Sequence, residues 1–263
     1  MERVKKPSPK RNVDTLRAET GGMYEAVHAR PDGDSTAARY AATAARYGYE
    51  GVVVRTRGAL EPPRGDGTPS AEAGAVSEEH GIDVVDAVEI DVDSATSASG
   101  AVGNYRPSRT VVCLVGGDDA LNRFAVEEPR IDVLARPMGG SGDFNHVLAK
   151  AARDNDVHVE FDFGPLLRAT GGMRVRALSD LRKLREIVSY YDAPYVVSAN
   201  PRSHLQLRGP REVVAATVAV GFEAEWVEEG LRAWGDIAAR NRERASEAFI
   251  QPGVRVGRYE EDG

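Results

Sequence analysis

Ser198, Asn200, Arg202, His204, Arg208 and Arg211, side chains able to hold an anion or share a proton, fall close together between positions 198 and 211. They follow directly on the apolar run from Pro194 to Val197. A guanidinium is a planar fork that grips two oxygens of a phosphate or carboxylate, and the Ser and Asn side chains add neutral donors and acceptors. Placed after a strand, such groups position a nucleic-acid backbone or a partner protein without doing bond chemistry. The same residues also fit a structural role, with Ser198 and Asn200 closing the strand end, Pro201 fixing a turn and Arg208 paired with Glu212.

Upstream, Arg174, Arg176, Arg182, Lys183 and Arg185 continue the basic series. Residues 164–212 hold nine Arg or Lys against four Asp or Glu, in a chain whose net charge is −7. The local excess of cations, set in an acidic protein, fits a nucleic-acid contact and fits equally a solvated face with ordinary ion pairs.

Bond-making chemistry has weaker support. His158, Glu160 and Asp162 alternate along VHVEFDF, so strand geometry aims all three to one side. A metal-dependent phosphoesterase would use such residues, and that is the second function the sequence allows. The histidines, at positions 28, 80, 146, 158 and 204, form no H-x-H or H-E-x-x-H pair. No G-x-S-x-G elbow occurs, and Cys113, the single cysteine, sits in TVVCLVG, where a thiol is a small buried hydrophobe. A disulfide framework and a cysteine metal site are thereby excluded. The glycine pairs 116–117, 139–140 and 171–172 do not match a phosphate-binding P-loop and read as flexible loops. The sequence therefore assigns no catalytic residue and no metal ligand.

These groups need elements to hold them. Apolar runs of strand length occur near 23–27, 51–56, 82–91, 110–115, 131–136, 157–163, 194–200 and 221–226, and they alternate with amphipathic segments. Eight such alternations favour a closed (β/α)8 TIM-type barrel over an open sheet. Asp34 or Ser35 is expected to cap the first helix and Gly48 to end it, Ser179 to cap the helix carrying Leu181, Leu184 and Val188, and Gly209-Pro210 to open another. The final helix turns Leu231, Trp234 and Ile237 or Ala238 inward. EPPRGDGTPSAEAG, 61–74, reads as an exposed loop. The expected organisation is a basic tail over 1–20, a barrel domain over 21–248 and a polar tail over 249–263.

At 263 residues the chain suits one such barrel. No apolar run approaches the roughly 18 residues that span a bilayer, and the basic start MERVKKPSPKRN lacks the apolar segment of a secretory signal. The expected setting is cytoplasmic, with no membrane and no DNA as partner. Only five of the 34 basic residues are lysine, and acids outnumber both, a composition suited to a salt-loving host.

Beyond these patterns, the stretch 144–222 resembles a known family. IDVLARP, AKAARDNDVHVEF, DLRKLREIV, VVSAN and RGPREVVA occur in the order found in the component 3 proteins of archaeal ribonuclease P, counterparts of the thirty-kilodalton eukaryotic subunit. The likeness is strong over 131–222 and rests mainly on strand order over 22–130. It implies a barrel similar to that of PHP-type phosphoesterases without their metal cluster. It also implies a subunit of an endoribonuclease whose catalytic RNA removes the 5′ leader of precursor tRNA, the isolated chain being inactive. On that resemblance the partners are the ribonuclease P RNA, protein component 2 and the other ribonuclease P proteins, with precursor tRNA met indirectly. The protein would bind no cofactor, and Mg²⁺ would serve the RNA.

Overall fold

The computed structural model describes residues 22–57, 69–246, 249–251 and 254–255. The expected basic tail over 1–20 lies outside them. Seven strands, β1 (Tyr24–His28), β2 (Gly51–Arg57), β3 (Asp83–Ile90), β4 (Val111–Val115), β5 (Val133–Ala135), β6 (His158–Asp162) and β7 (Tyr195–Ser198), form one parallel sheet in chain order. The outer connections are helical: α1 (Ala37–Tyr47), α2 (Pro69–His80), α3 (Ala95–Tyr105), α4 (Asp119–Glu127), α5 (His146–Asp154), α6 (Gly164–Arg168), α7 (Gly171–Tyr190) and α8 (Pro210–Val218). Each connection is the same strand–helix–strand step, and repeating it in one hand curls the sheet until β7 meets β1. There the Ser198 hydroxyl oxygen lies 3.2 Å from the Ala26 carbonyl oxygen, and the His28 amide donates to the Pro201 carbonyl at 3.1 Å.

The barrel is nearly closed, and its expected eighth strand is not formed among the described residues. Residues 221–226 alternate apolar and acidic side chains and so imitate a strand, but Ala224 already begins α9 (Ala224–Ala245). Val227, Gly230, Leu231, Trp234, Ile237, Ala238 and Asn241 form one buried helical face, a stronger period than the short alternation before it. This helix lies along the seam between β7 and β1. A Cβ at Gly230 would come within 2.5 Å of Val197 Cγ2, and one at Gly235 within 2.6 Å of Tyr24 Cε2. Trp234 enters the barrel among Ala26, Val53, Val85, Val111, Cys113 and Val196, and its indole N–H donates to the Val197 carbonyl at 2.9 Å. That carbonyl is on the strand edge an eighth strand would have paired, so the indole satisfies a group that burial would otherwise leave orphaned.

Three further boundaries differ from expectation. Thr36, rather than Asp34 or Ser35, caps α1, with its side chain accepting from the Arg39 amide. Ser179 lies inside α7, which starts at Gly171; the first two turns bury nothing, so no periodic pattern announces them. The end of the expected 61–74 loop belongs to α2, and 58–68 lie outside the described residues. Past α9, β8 (Phe249–Gln251) pairs antiparallel with β9 (Val254–Arg255). The glycine pairs 116–117 and 139–140 pack two loops together, since a Cβ on Gly140 would stand 2.7 Å from the Gly117 carbonyl oxygen.

Candidate functional site

Strand parity sends Arg55 of β2, Glu89 of β3 and Glu160 of β6 into the barrel. All three are buried. Arg55 Nη1 lies 2.8 Å from Glu160 Oε1 and 3.3 Å from Glu89 Oε2. Its N–H vectors do not point along those lines, so these are ion pairs without aligned hydrogen bonds. The aligned bond runs from Nη2 to Asn200 Oδ1 at 3.0 Å, and the guanidinium sits 5.5 Å from the Trp234 ring centre. Burial opposes the charge on Arg55, but Glu160 and Glu89 more than offset it and hold the group protonated. Burial also pushes the Glu160 carboxyl up, to about 7, against the pull of Arg55.

Toward the carboxyl ends of the strands the network broadens. Arg57 and Arg136 each reach Glu89 and Asp91 at 3.3–3.8 Å. Asn200 Nδ2 donates to Asp162 Oδ2 at 2.8 Å, and Asp162 Oδ1 accepts the Gly164 amide at 2.7 Å, fixing the start of α6. His28 Nε2 is 3.6 Å from Glu89 Oε2, but burial and then Arg55 depress its pKa to about 2, so the ring is neutral and the contact is not ionic. The residues that suggested a metal site are thus strung along the barrel: His158 near the amino-terminal end, its pKa lowered by burial to about 4, Glu160 against Arg55, and Asp162 at the mouth. Among the described residues no group of three or more His, Cys, Asp or Glu could hold a metal ion.

The 198–211 stretch divides. Ser198 is fully buried and donates to Glu25 Oε1 at 2.6 Å. Asn200 adopts φ 49°, a left-handed turn that Asn tolerates, and through it reaches Arg55. His204 Nδ1 meets Ser35 Oγ at 2.8 Å, and the Arg202 guanidinium donates to the Asp32 carbonyl. Glu212 accepts from the Gly209 amide at 3.0 Å, as a helix cap, and does not pair with Arg208. The Arg208 guanidinium is exposed with only a 3.5 Å contact to the Leu207 carbonyl, and exposed Arg211 has no partner among the described residues.

On α7, three of the five cations are engaged within the molecule. Arg182 donates to the Val220 carbonyl at 2.9 Å, Lys183 to Asp143 Oδ1 at 2.7 Å, and Arg185 to the Gly221 carbonyl and Glu223 while lying over Phe222 and Trp226. Arg174 is exposed with no partner among the described residues, and Arg176 has one 3.9 Å approach to Asp180.

Two residues that the sequence pattern does not single out join Arg208 and Arg211. Arg46 and Tyr47, at the end of α1, are exposed, and Tyr47, Gly48, Gly209, Pro210 and Arg211 line, with Met23 and Glu212, a depression of about 500 Å³ at the start of α8, next in sequence to Arg46 and Arg208. The backbone comes close there: a Cβ on Gly209 would be 3.5 Å from the Tyr47 carbonyl oxygen. No local signal in the sequence links positions 46–47 with 208–211.

The fold and the network define a class: a parallel seven-stranded barrel with outer helices whose interior holds a guanidinium between carboxylates. A zinc-, histidinol- and phosphate-bound histidinol phosphate phosphatase from Lactococcus lactis shares the architecture, with a TM-score of 0.53 and 10% identity over 76% of this chain and 94% of that one. The cryo-EM structure of archaeal ribonuclease P with mature tRNA contains a chain matching at TM-score 0.77 and 21% identity, over 91% of this chain and 100% of that one. The family model described as RNase P subunit p30 matches residues 13–246, and ribonuclease P protein component 3 of Halorubrum lacusprofundi is 79% identical over 92% of this chain and 100% of its own length. The chain belongs to the RNase P subunit p30 family.

Proposed function

We propose that this chain is a non-catalytic protein subunit of ribonuclease P, supporting the catalytic RNA that removes the 5′ leader from precursor tRNA. Its partners are then that RNA and the other protein subunits, with precursor tRNA met through the assembly. Family membership supports the identity of the assembly. The observation that carries the supporting role is that the barrel's buried carboxylates hold Arg55, while Arg46, Arg208 and Arg211 stand exposed around the start of α8. Guanidinium groups there neutralise phosphates on neighbouring RNA helices and so lower the Mg²⁺ the RNA needs to stay packed. Arginine suits a salty interior, because short bidentate contacts survive when the Debye length falls to about 3 Å at 1 M salt.

The test is reconstitution with the RNA and the partner subunits. Replacing Arg46, Arg208 and Arg211 with Gln weakens RNA binding and reduces the salt slope by up to about 0.9 log units per log unit of salt for each phosphate no longer neutralised. An unchanged slope, with the variant folded and still in its protein complex, removes this surface from the RNA interface. Cleavage of a phosphodiester by the purified chain without RNA, in the presence of Mn²⁺, overturns the non-catalytic reading.

A further inference from the structure

The first two turns of α7 make no use of the body of the protein. Every residue from Gly171 to Arg176 is exposed, and Met173 and Val175 retain 71% and 69% of their surface. Successive helical residues advance by about 100°, so Met173, Arg174, Val175 and Arg176 cover the whole circumference. A helix lying on the barrel would hide at least one of them. Later in the same helix Leu181, Leu184 and Val188 do this in the ordinary way.

Gly172 adds an independent observation. A Cβ built there meets nothing within 4 Å, so nothing among the described residues requires the smallest residue, although glycine is a poorer helix former than alanine. A smooth surface with a backbone close to it is what a neighbouring chain would use. The charge pattern completes the picture. From Pro165 to Ser179 the sequence contains Arg168, Arg174 and Arg176 and no acid, and Arg168 is bound to the Ala199 and Asn200 carbonyls. Arg176 has only a 3.9 Å approach to Asp180, and Arg174, with no partner among the described residues, calls for a carboxylate from outside.

We infer that residues 171–176 are the docking knob for another protein subunit, which encloses Met173 and Val175 in an apolar pocket rimmed by carboxylates facing Arg174 and Arg176. This rests on the reading of the chain as a subunit of a ribonucleoprotein and assigns this surface to protein, apart from the arginines at the start of α8. RNA is the poorer occupant. Half the outward side chains are aliphatic and offer phosphates no donor, no aromatic ring is present to stack on a base, and a phosphate backbone would touch one side of a turn whose apolar groups lie on opposite sides.

Oxidative footprinting of the native assembly tests this. The full-length tagged chain is purified with everything bound to it, exposed to dilute hydrogen peroxide, and the sulfoxide at Met173 is compared with that in the free chain; half-buried Met23 and Met138 serve as internal references. Met173 is expected to oxidise about tenfold more slowly in the assembly, and to stay protected after nuclease digestion of the RNA. Equal oxidation in both states overturns the inference, and so does protection that disappears with the RNA. A Met173→Asp/Val175→Asp double variant should melt with the wild type, since both sites are exposed, yet retain a partner subunit about tenfold more weakly. Unaltered retention of every protein subunit also overturns it. Failure of the subunit reading itself shows separately, as absence of any structured RNA from the purified assembly.

Discussion

Arg55 Nη1 and Glu160 Oε1 face each other at 2.8 Å inside the barrel, with the side chains of both residues fully excluded from solvent. Removing one partner leaves the other charge buried alone, whereas replacing the group as a whole need not. Arg55→Met should therefore destabilise the protein by about 3–5 kcal/mol, and the further changes Glu89→Gln and Glu160→Gln should restore part of that loss. Chemical denaturation of the three forms measures it; additive losses would mean that the pairs are not coupled.

Glu25 supplies a pH prediction. Burial raises its carboxyl from 4.5 to about 7 in the fold, with Ser198, the Ala199 amide, Arg55 and Tyr49 opposing. Between those values the unfolded chain has lost the proton and the folded chain keeps it, so the contribution of Glu25 to stability is full below pH 4.5 and falls as pH rises to about 7. A Glu25→Gln variant lacks this loss. Its stability relative to wild type should rise across that window by as much as about 3 kcal/mol. Parallel stability curves for the two proteins would contradict the raised carboxyl.

His28 runs the other way. With its pKa depressed from 6.5 to about 2, the folded ring stays neutral where the unfolded ring binds a proton, so this group's contribution is lost as pH falls from 6.5 toward 2. His28→Asn should shallow the acid limb of the stability curve, read by thermal melts at pH 3 to 6.

Two glycines in helices should respond oppositely to alanine. At Gly230 the new methyl meets Val197 Cγ2 at 2.5 Å on the seam between α9 and β7, and Gly230→Ala should cost about 1–3 kcal/mol. At Gly172 it meets nothing, so Gly172→Ala should leave the free chain unchanged or up to about 1 kcal/mol more stable. Paired melts of the free proteins decide both.

The strand–helix alternation, the inward face of the last helix and the buried strand thiol of Cys113 were legible in the sequence because each is a local period: two for strands, 3.6 for helices, or a continuous apolar run. The basic excess of 164–212 was legible for the same reason, since charge is counted along the chain. Whether a given cation is free is not a local property. Arg182 and Arg185 bind carbonyls near position 220, Lys183 binds Asp143, and Arg211 binds nothing among the described residues, although all four look alike in sequence. Likewise His158, Glu160 and Asp162 share a strand face as their spacing requires, but only the tertiary structure brings Arg55, about a hundred residues earlier, against Glu160. The missing eighth strand has the same cause. FEAEW alternates like a strand over a few residues, and the longer helical period from Val227 to Asn241 prevails because it buries Trp234 in the space that the seven-stranded sheet leaves open.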